Sequence, residues 1–307
     1  ADDVSAVGTA RGYLAACEYG NDKAIFGFGV DGSGKSGVTN LVSNTGVVAT
    51  DVSAVGTARN ALAAATFGGD KGIFAFGENA SGNTAQSNLV SNVGVVATDV
   101  DGVGTVRRYL AATQFSANKD KGIFGYGYTS SNVSMSNLVS IAGVVATDVT
   151  GVGSARYGPA ACEYGGDKGI FGYGYTTGNV SMTNLVSNSG VVATDTTGVG
   201  TGRSALAACS YGGDKGIFGY GGNVVSLTNL VSNVGVVSTD VTGVGSASKY
   251  LAACEYGNDK GVFGFGKNGA TYSKTNRVSN TGVVGTDTAS GGGVTAREGT
   301  PAGCSFA

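Results

Sequence analysis

Residues 184–221 read NLVSNSGVVATDTTGVGTGRSALAACSYGGDKGIFGYG, and near-copies of this stretch fill almost the whole 307-residue chain. Its Asp-Lys pair recurs at Asp22/Lys23, Asp70/Lys71, Asp120/Lys121, Asp167/Lys168, Asp214/Lys215 and Asp259/Lys260, with spacings of 48, 50, 47, 47 and 45 residues. A fixed period of this length means that one supersecondary unit is stacked on its own copies, so the period decides the domain count. The chain reads as one domain, 1–307, with units at roughly 1–51, 52–99, 100–148, 149–195, 196–240 and 241–287 and a closing or extra strand at 288–307.

Within each unit the apolar runs are too short for helices, rich in Gly, Val, Ile and Phe, and separated by turn residues, which predicts strands. Four are expected per unit. Residues 203–211 give the first and 215–221 the second, after a Gly-Gly-Asp turn. A loop of variable length leads to the third at 229–232, and an Asn-Val-Gly turn to the fourth at 236–239. The glycine of that last turn suits a left-handed backbone. A Thr-Asp-x-x-Gly-x-Gly crossover follows. Alternation of polar and apolar residues is blurred, whereas a two-layer sandwich would alternate because one face of each sheet meets water. Sheets arranged radially are covered on both faces, and the Ala-Ala pair of the first strand suits a crowded axis. The expected fold is all-β, a six-bladed β-propeller of four-stranded antiparallel blades.

The order of these features resembles the kelch repeat family over essentially the whole chain. There is an Arg ahead of the first strand, two small residues within it, an aromatic-plus-glycine second strand (IFGYG), then a third strand, a turn and a short fourth strand. The resemblance implies a divergent kelch-like propeller. Val stands where the family has its fourth-strand Trp, and Gly-Tyr-Gly or Gly-Phe-Gly replaces the paired glycines except at Gly221/Gly222. A regulator-of-chromosome-condensation-type propeller is the alternative, with a similar second strand but no account of the recurring Arg. In its regular repeats and Ser/Thr/Asn/Gly-rich loops the chain is also similar to phage tail or fibre proteins.

The first strand occurs a seventh time, in AREGTPAGCSFA at 296–307. It reads as closing the ring, which would bring Cys304 towards Cys17 and make a disulfide between them conceivable. The other cysteines, Cys162, Cys209 and Cys254, occupy the same repeat position as Cys17 and read as small buried hydrophobes.

Net charge is −2 and only 13% of residues are charged, which argues against nucleic acid as a partner. No run approaches the ~20 apolar residues of a membrane span, so no membrane insertion is expected. There is no His, which removes Ser-His-Asp and Cys-His arrangements and His-based zinc or copper sites. No enzyme activity, cofactor or metal is therefore expected.

Two sets of residues are candidates for ligand binding. Arg11, Arg59, Arg107, Arg156 and Arg203 recur ahead of first strands and suit carboxylate, sulfate or phosphate; alternatively each bonds a crossover Asp or carbonyl and locks neighbouring blades. Tyr128, Tyr175 and Tyr272 in variable loops offer stacking surfaces for sugars, or else cover blade edges. Strand parity puts the Arg crossovers and variable loops on one face and the Asp-Lys and Asn-x-Gly turns on the other, with Glu18, Glu163 and Glu255 near the latter. The expected function is a non-enzymatic recognition or structural module, virion-borne or extracellular, binding a cell-surface glycan or protein. The alternatives are a purely architectural subunit, in which the surplus strand supports homo-oligomer assembly, and a glycan-cleaving propeller.

Overall fold

The structure, a computed structural model, describes residues 7–271, 274–289 and 302–303. Among them the chain is all-β, without helices, and is built from repeated small antiparallel sheets. Each unit contributes an inner, a middle and an outer strand. In the fourth unit these are Ala160–Tyr164, Lys168–Gly172 and Thr183–Val186. The inner strand pairs with the middle one from Ala160↔Gly172 to Tyr164↔Lys168, and the middle with the outer from Gly169↔Val186 to Gly172↔Thr183. The same register recurs from the first sheet, Ala15–Tyr19, Lys23–Gly27 and Thr39–Val42, through the fifth, Ala207–Tyr211, Lys215–Gly219 and Thr228–Val231.

The expected fourth strand is reduced to bridges in the first five units, so these sheets have three strands rather than four. In the fifth unit only Val231↔Val237 and Thr228↔Val241 pair. A side chain competes with the ladder here: Asn229 Nδ2 donates to the backbone carbonyl of Ser238 at 3.0 Å, an acceptor that a continuous ladder would use, and to the carboxylate of Asp240 at 2.9 Å. Asn40, Asn88, Asn137 and Asn184 do the same in their units. The sixth sheet alone, among the described residues, gains a fourth strand, Thr288–Ala289, on Lys274–Val278.

Inner strands of consecutive units pack on one another from the first unit to the sixth. The glycines of the middle strands allow this approach. A Cβ on Gly27, Gly125, Gly172 or Gly219 would lie 2.6–2.8 Å from the ring of Phe74, Phe171, Phe218 or Phe263 in the next unit, inside van der Waals contact. The corresponding contact between Phe26 and Gly264 is not made. All six inner strands nevertheless line one cavity of about 140 Å³, to which Gly303 also contributes. The rest of the seventh first-strand copy, including Cys304, lies outside the described residues, so the Cys17–Cys304 pairing does too. Cys17, Cys162 and Cys209 are buried free thiols, and burial pushes Cys17 and Cys162 up to about 12.

The turn face is stitched by the Asp-Lys pairs. Gly20 N donates to Asp70 O of the next unit at 2.7 Å, and equivalent bonds at 2.7–2.8 Å link Gly68, Ser116, Gly165 and Gly212 forward. Asn44, Asn92, Asn188 and Asn280 of the Asn-x-Gly turns donate to Asp22, Asp70, Asp167 and Asp259. Asp31 accepts from Ser33 N at 2.7 Å, closing a small hairpin of the first variable loop.

Candidate functional site

The recurring arginines are interior groups. Arg59, Arg107, Arg156 and Arg203 have no exposed surface. Arg59 Nη2 donates to Asn88 Oδ1 at 2.6 Å, Nε donates to Phe76 O at 3.0 Å, and Nη1 lies 3.7 Å from Asp99. Its guanidinium covers the ring of Phe28 in the preceding unit at 4.0 Å, and Arg107, Arg156 and Arg203 cover Phe76, Tyr126 and Tyr173 at 3.8–4.5 Å. A desolvated cation over an aromatic face contributes up to about 2 kcal/mol. Burial pushes Arg59 and Arg107 down to about 10, with Asp99 and Asp148 working against it. Arg11 likewise bonds Asn40 and lies 3.8 Å from Asp51. These contacts are those of residues that lock neighbouring sheets, and the four buried guanidiniums have no face left for a ligand.

The crossover aspartates complete the lock. Asp99 accepts from Thr57 N and Oγ1 at 2.8 and 2.6 Å. Burial alone would raise its carboxyl, but the bonds from Thr57 and Asn88 and the charge of Arg59 hold it below the ordinary carboxylate value. The sixth unit has Ser248 where the others have Arg, and Lys274 supplies the missing charge: its Nζ donates to Asp287 at 2.9 Å and to Ser246 Oγ at 2.6 Å.

Past the arginine position the chain makes a left-handed step in every unit, at Tyr13, Ala61, Tyr109, Gly158, Ala205 and Tyr250, with φ between 51° and 63°. Backbone bonds pass from unit to unit here: Ala61 N to Tyr13 O, Tyr109 N to Ala61 O, Gly158 N to Tyr109 O, and Tyr250 N to Ala205 O, at 2.9–3.1 Å. Positive φ is unfavourable for a bulky residue, and non-glycine strain of this kind gathers at functional sites. Only three units place a tyrosine at this step.

Around it the loops assemble an aromatic surface. The ring of Tyr157 lies 6.1 Å from Tyr109, 5.8 Å from Tyr128 and 5.4 Å from Tyr175. Burial raises the Tyr109 hydroxyl against the influence of Arg108, and the nearby hydroxyls of Tyr13 and Tyr250 raise it further. Four rings of the third and fourth units are thus in contact, Tyr13 of the first unit and Tyr250 of the sixth lie within electrostatic reach of Tyr109, and Tyr13 and Tyr109 are more than a third exposed. Arg108 sits over Tyr109 and Tyr128 at 5.2 and 5.8 Å and is paired with Glu78, which Lys35 also approaches at 3.3 Å. Lys249 and Lys267 sit over Tyr250 at 5.4 and 5.8 Å. Asn132 and Asn83 tie the loops together, donating to Tyr175 O and Tyr128 O at 3.2 and 3.3 Å.

Tyr128 and Tyr175 are therefore brought together on the expected face, and Tyr272 lies outside the described residues. Sequence reasoning missed Tyr13, Tyr109, Tyr157 and Tyr250. The available signal was that a bulky ring follows the arginine position in some units and Ala or Gly in the others.

The side of the Asp-Lys turns is acidic. Glu18, Glu163 and Glu255 share an inner-strand position with Thr66, Gln114 and Ser210, and the three glutamates line a second cavity of about 190 Å³ with Lys119. Burial pushes Glu18 and Glu163 up to about 7, Lys119 opposes the rise, and Glu255 adds to it. Among the described residues no group of three or more Cys, Asp or Glu is placed to hold a metal ion.

Compared with known protein families and with curated proteins, the chain matches none.

Proposed function

We propose that the six sheets close into a six-bladed, kelch-like β-propeller whose tyrosine-bearing face recognises saccharide, in a non-enzymatic protein of a virion or of the cell exterior. Closure is supported by Ala24, which occupies the repeat position of Gly72 and Gly216. A Cβ at those two glycines points at Cys17 and Cys162 of the preceding unit. Ala24, in the first unit, is 1% exposed, and a cover from the sixth unit or the tail fits this burial. Gly303, which lies against Ala252 and Ala253, fits a tail at that seam.

The observation that carries the recognition reading is the tyrosine cluster, because it breaks the repeat. The regularly repeated residues, the arginines of the first five units and the Asp-Lys pairs of all six, are engaged in holding sheets together. The aromatic surface comes from some units only and lies on variable loops (Tyr128, Tyr175) and on the crossover segments beside them (Tyr13, Tyr109, Tyr157, Tyr250), and connecting segments on a rigid scaffold usually carry its binding groups. Tyrosine rings offer apolar faces to sugar C–H groups and a hydroxyl for hydrogen bonding. A glycan array probed with the wild-type chain and with Tyr109→Ala/Tyr157→Ala tests this: saccharide binding lost in the folded double variant is expected, and no binding by the folded wild type counts against it.

The outer edge favours a second reading, assembly. Val47, Val95, Val144, Val191, Val236 and Val283 are each about two-thirds exposed along the bridged segments, an apolar rim that another subunit would cover. Light scattering separates the readings, since a chain that stays monomeric at high concentration speaks against self-assembly through this rim.

A further inference from the structure

We infer that the saccharide read by the tyrosine face carries a carboxylate or sulfate group, seated by Lys249 and Lys267; this rests on the saccharide reading above. The two lysines are direct cross-strand partners, with Lys249 N donating to Lys267 O at 3.1 Å and Lys267 N to Lys249 O at 2.9 Å. Like charges placed opposite one another across a sheet repel. Elsewhere on this face the cations have a carboxylate partner: Arg108 and Lys35 share Glu78. Neither Lys249 nor Lys267 has a carboxylate within ion-pair distance among the described residues.

Both ammonium groups instead lie over the ring of Tyr250. The equivalent cross-strand pairs elsewhere are Gly12 with Val30, Asn60 with Glu78, Arg108 with Tyr128, and Tyr157 with Tyr175, and none of these places two cations together. The doubled charge is therefore no requirement of the fold at this position. An anionic group on a sugar ring stacked near Tyr250 or Tyr109 satisfies it with charge-assisted hydrogen bonds, which are stronger than neutral ones. The chain's net charge of −2 and the confinement of carboxylate-free cations on this face to two side chains fit a discrete anionic substituent, whereas a polyanion is bound by many phosphate contacts.

The test is an array of uronate-containing, sialylated, sulfated and neutral saccharides, probed with the wild type, Lys249→Gln/Lys267→Gln and Lys249→Arg/Lys267→Arg at low salt and in 0.5 M NaCl. Acidic saccharides should lead the bound set, and the separate uronate, sialic acid and sulfate arms tell carboxylate from sulfate. The Gln pair should weaken acidic ligands about tenfold, high salt should weaken them too, and the Arg pair should retain them. An unchanged thermal midpoint shows that the variants are folded. Neutral saccharides bound equally well, with no effect of the Gln pair, overturn the anionic inference and leave the saccharide reading standing. No saccharide bound by the folded wild type overturns both.

Discussion

Replacing Glu163 by Gln should stabilise the protein progressively from about pH 4.5 to neutral pH and leave it unchanged in stronger acid. Glu163 sits where the inner strands narrow, in the cavity it shares with Glu18, Glu255 and Lys119, and its Oε1 is buried without a hydrogen-bond partner. Burial raises its carboxyl from 4.5 to about 7. Between those values the folded protein keeps a proton that the unfolded chain has lost, so stability falls as pH rises through this window. At about 1.4 kcal/mol per pH unit the gap sets an upper bound of roughly 3 kcal/mol. Partial solvent access reduces it, to about 1–3 kcal/mol. Gln keeps the shape and the capacity to bond Gln114 without a charge. Urea unfolding followed by far-ultraviolet circular dichroism at pH 4, 6 and 8 measures the difference. The variant should match the wild type at pH 4, exceed it by an amount that grows through pH 6, and level off above about pH 7. A difference that stays constant with pH would refute the assignment of a strained, buried carboxylate.

Arg156→Ala should cost about 3–5 kcal/mol in the same assay, because it leaves Asp195 and Asn184 without their buried cation; a loss below about 1 kcal/mol would mean the arginines are not locks. Lys274→Met should cost about 0.5–1 kcal/mol at pH 7, since the pair with Asp287 is partly exposed. The Asp287 carboxyl is held well below its ordinary value, so this contribution is present above the unfolded value and is lost as pH falls through the folded one; the loss caused by Lys274→Met should shrink on acidification. Gly216→Ala should cost about 1–3 kcal/mol by overpacking, since the new Cβ would lie 2.6 Å from Cys162 Sγ. Adding Cys162→Ala should restore most of it, and simple additivity of the two changes would exclude the steric explanation.

Much of the scaffold is legible in the repeat. The inner, middle and outer strands lie where short Ala-, Gly- and aromatic-rich runs predict them, because those residue types are dictated at each position by the next unit's side chains. Phe218 needs Gly172, and Cys162 needs Gly216. The parity of the strands also brings the Asp-Lys and Asn-x-Gly turns together, as the Asn44–Asp22 bond records. The reduction of the fourth strand to bridges was not legible, since Val-Val-Ser-Thr has strand composition and only the geometry of Asn229 shows the Ser238 carbonyl already taken. Nor was the interior role of the arginines decided by sequence, because a guanidinium that binds a ligand and one that covers Phe28 carry the same letter. The tyrosine surface was hidden for a different reason: Tyr13, Tyr109, Tyr157 and Tyr250 belong to separate units, and only the stacking of units makes them neighbours. Lys274 was hidden in the same way, filling in for an arginine from the far end of its own unit.

Each buried arginine is bonded within its own unit and capped by a ring of the unit before it, so no unit owns its charge compensation entirely. Opening one unit would strip the aromatic cover from its successor's guanidinium and admit water to it. In a linear array of repeats, stability is shared between intrinsic and nearest-neighbour terms, and here the desolvated cation places a large share at the junctions. Loss of a single junction should therefore propagate in both directions, giving a chain that melts in one sharp transition instead of fraying repeat by repeat.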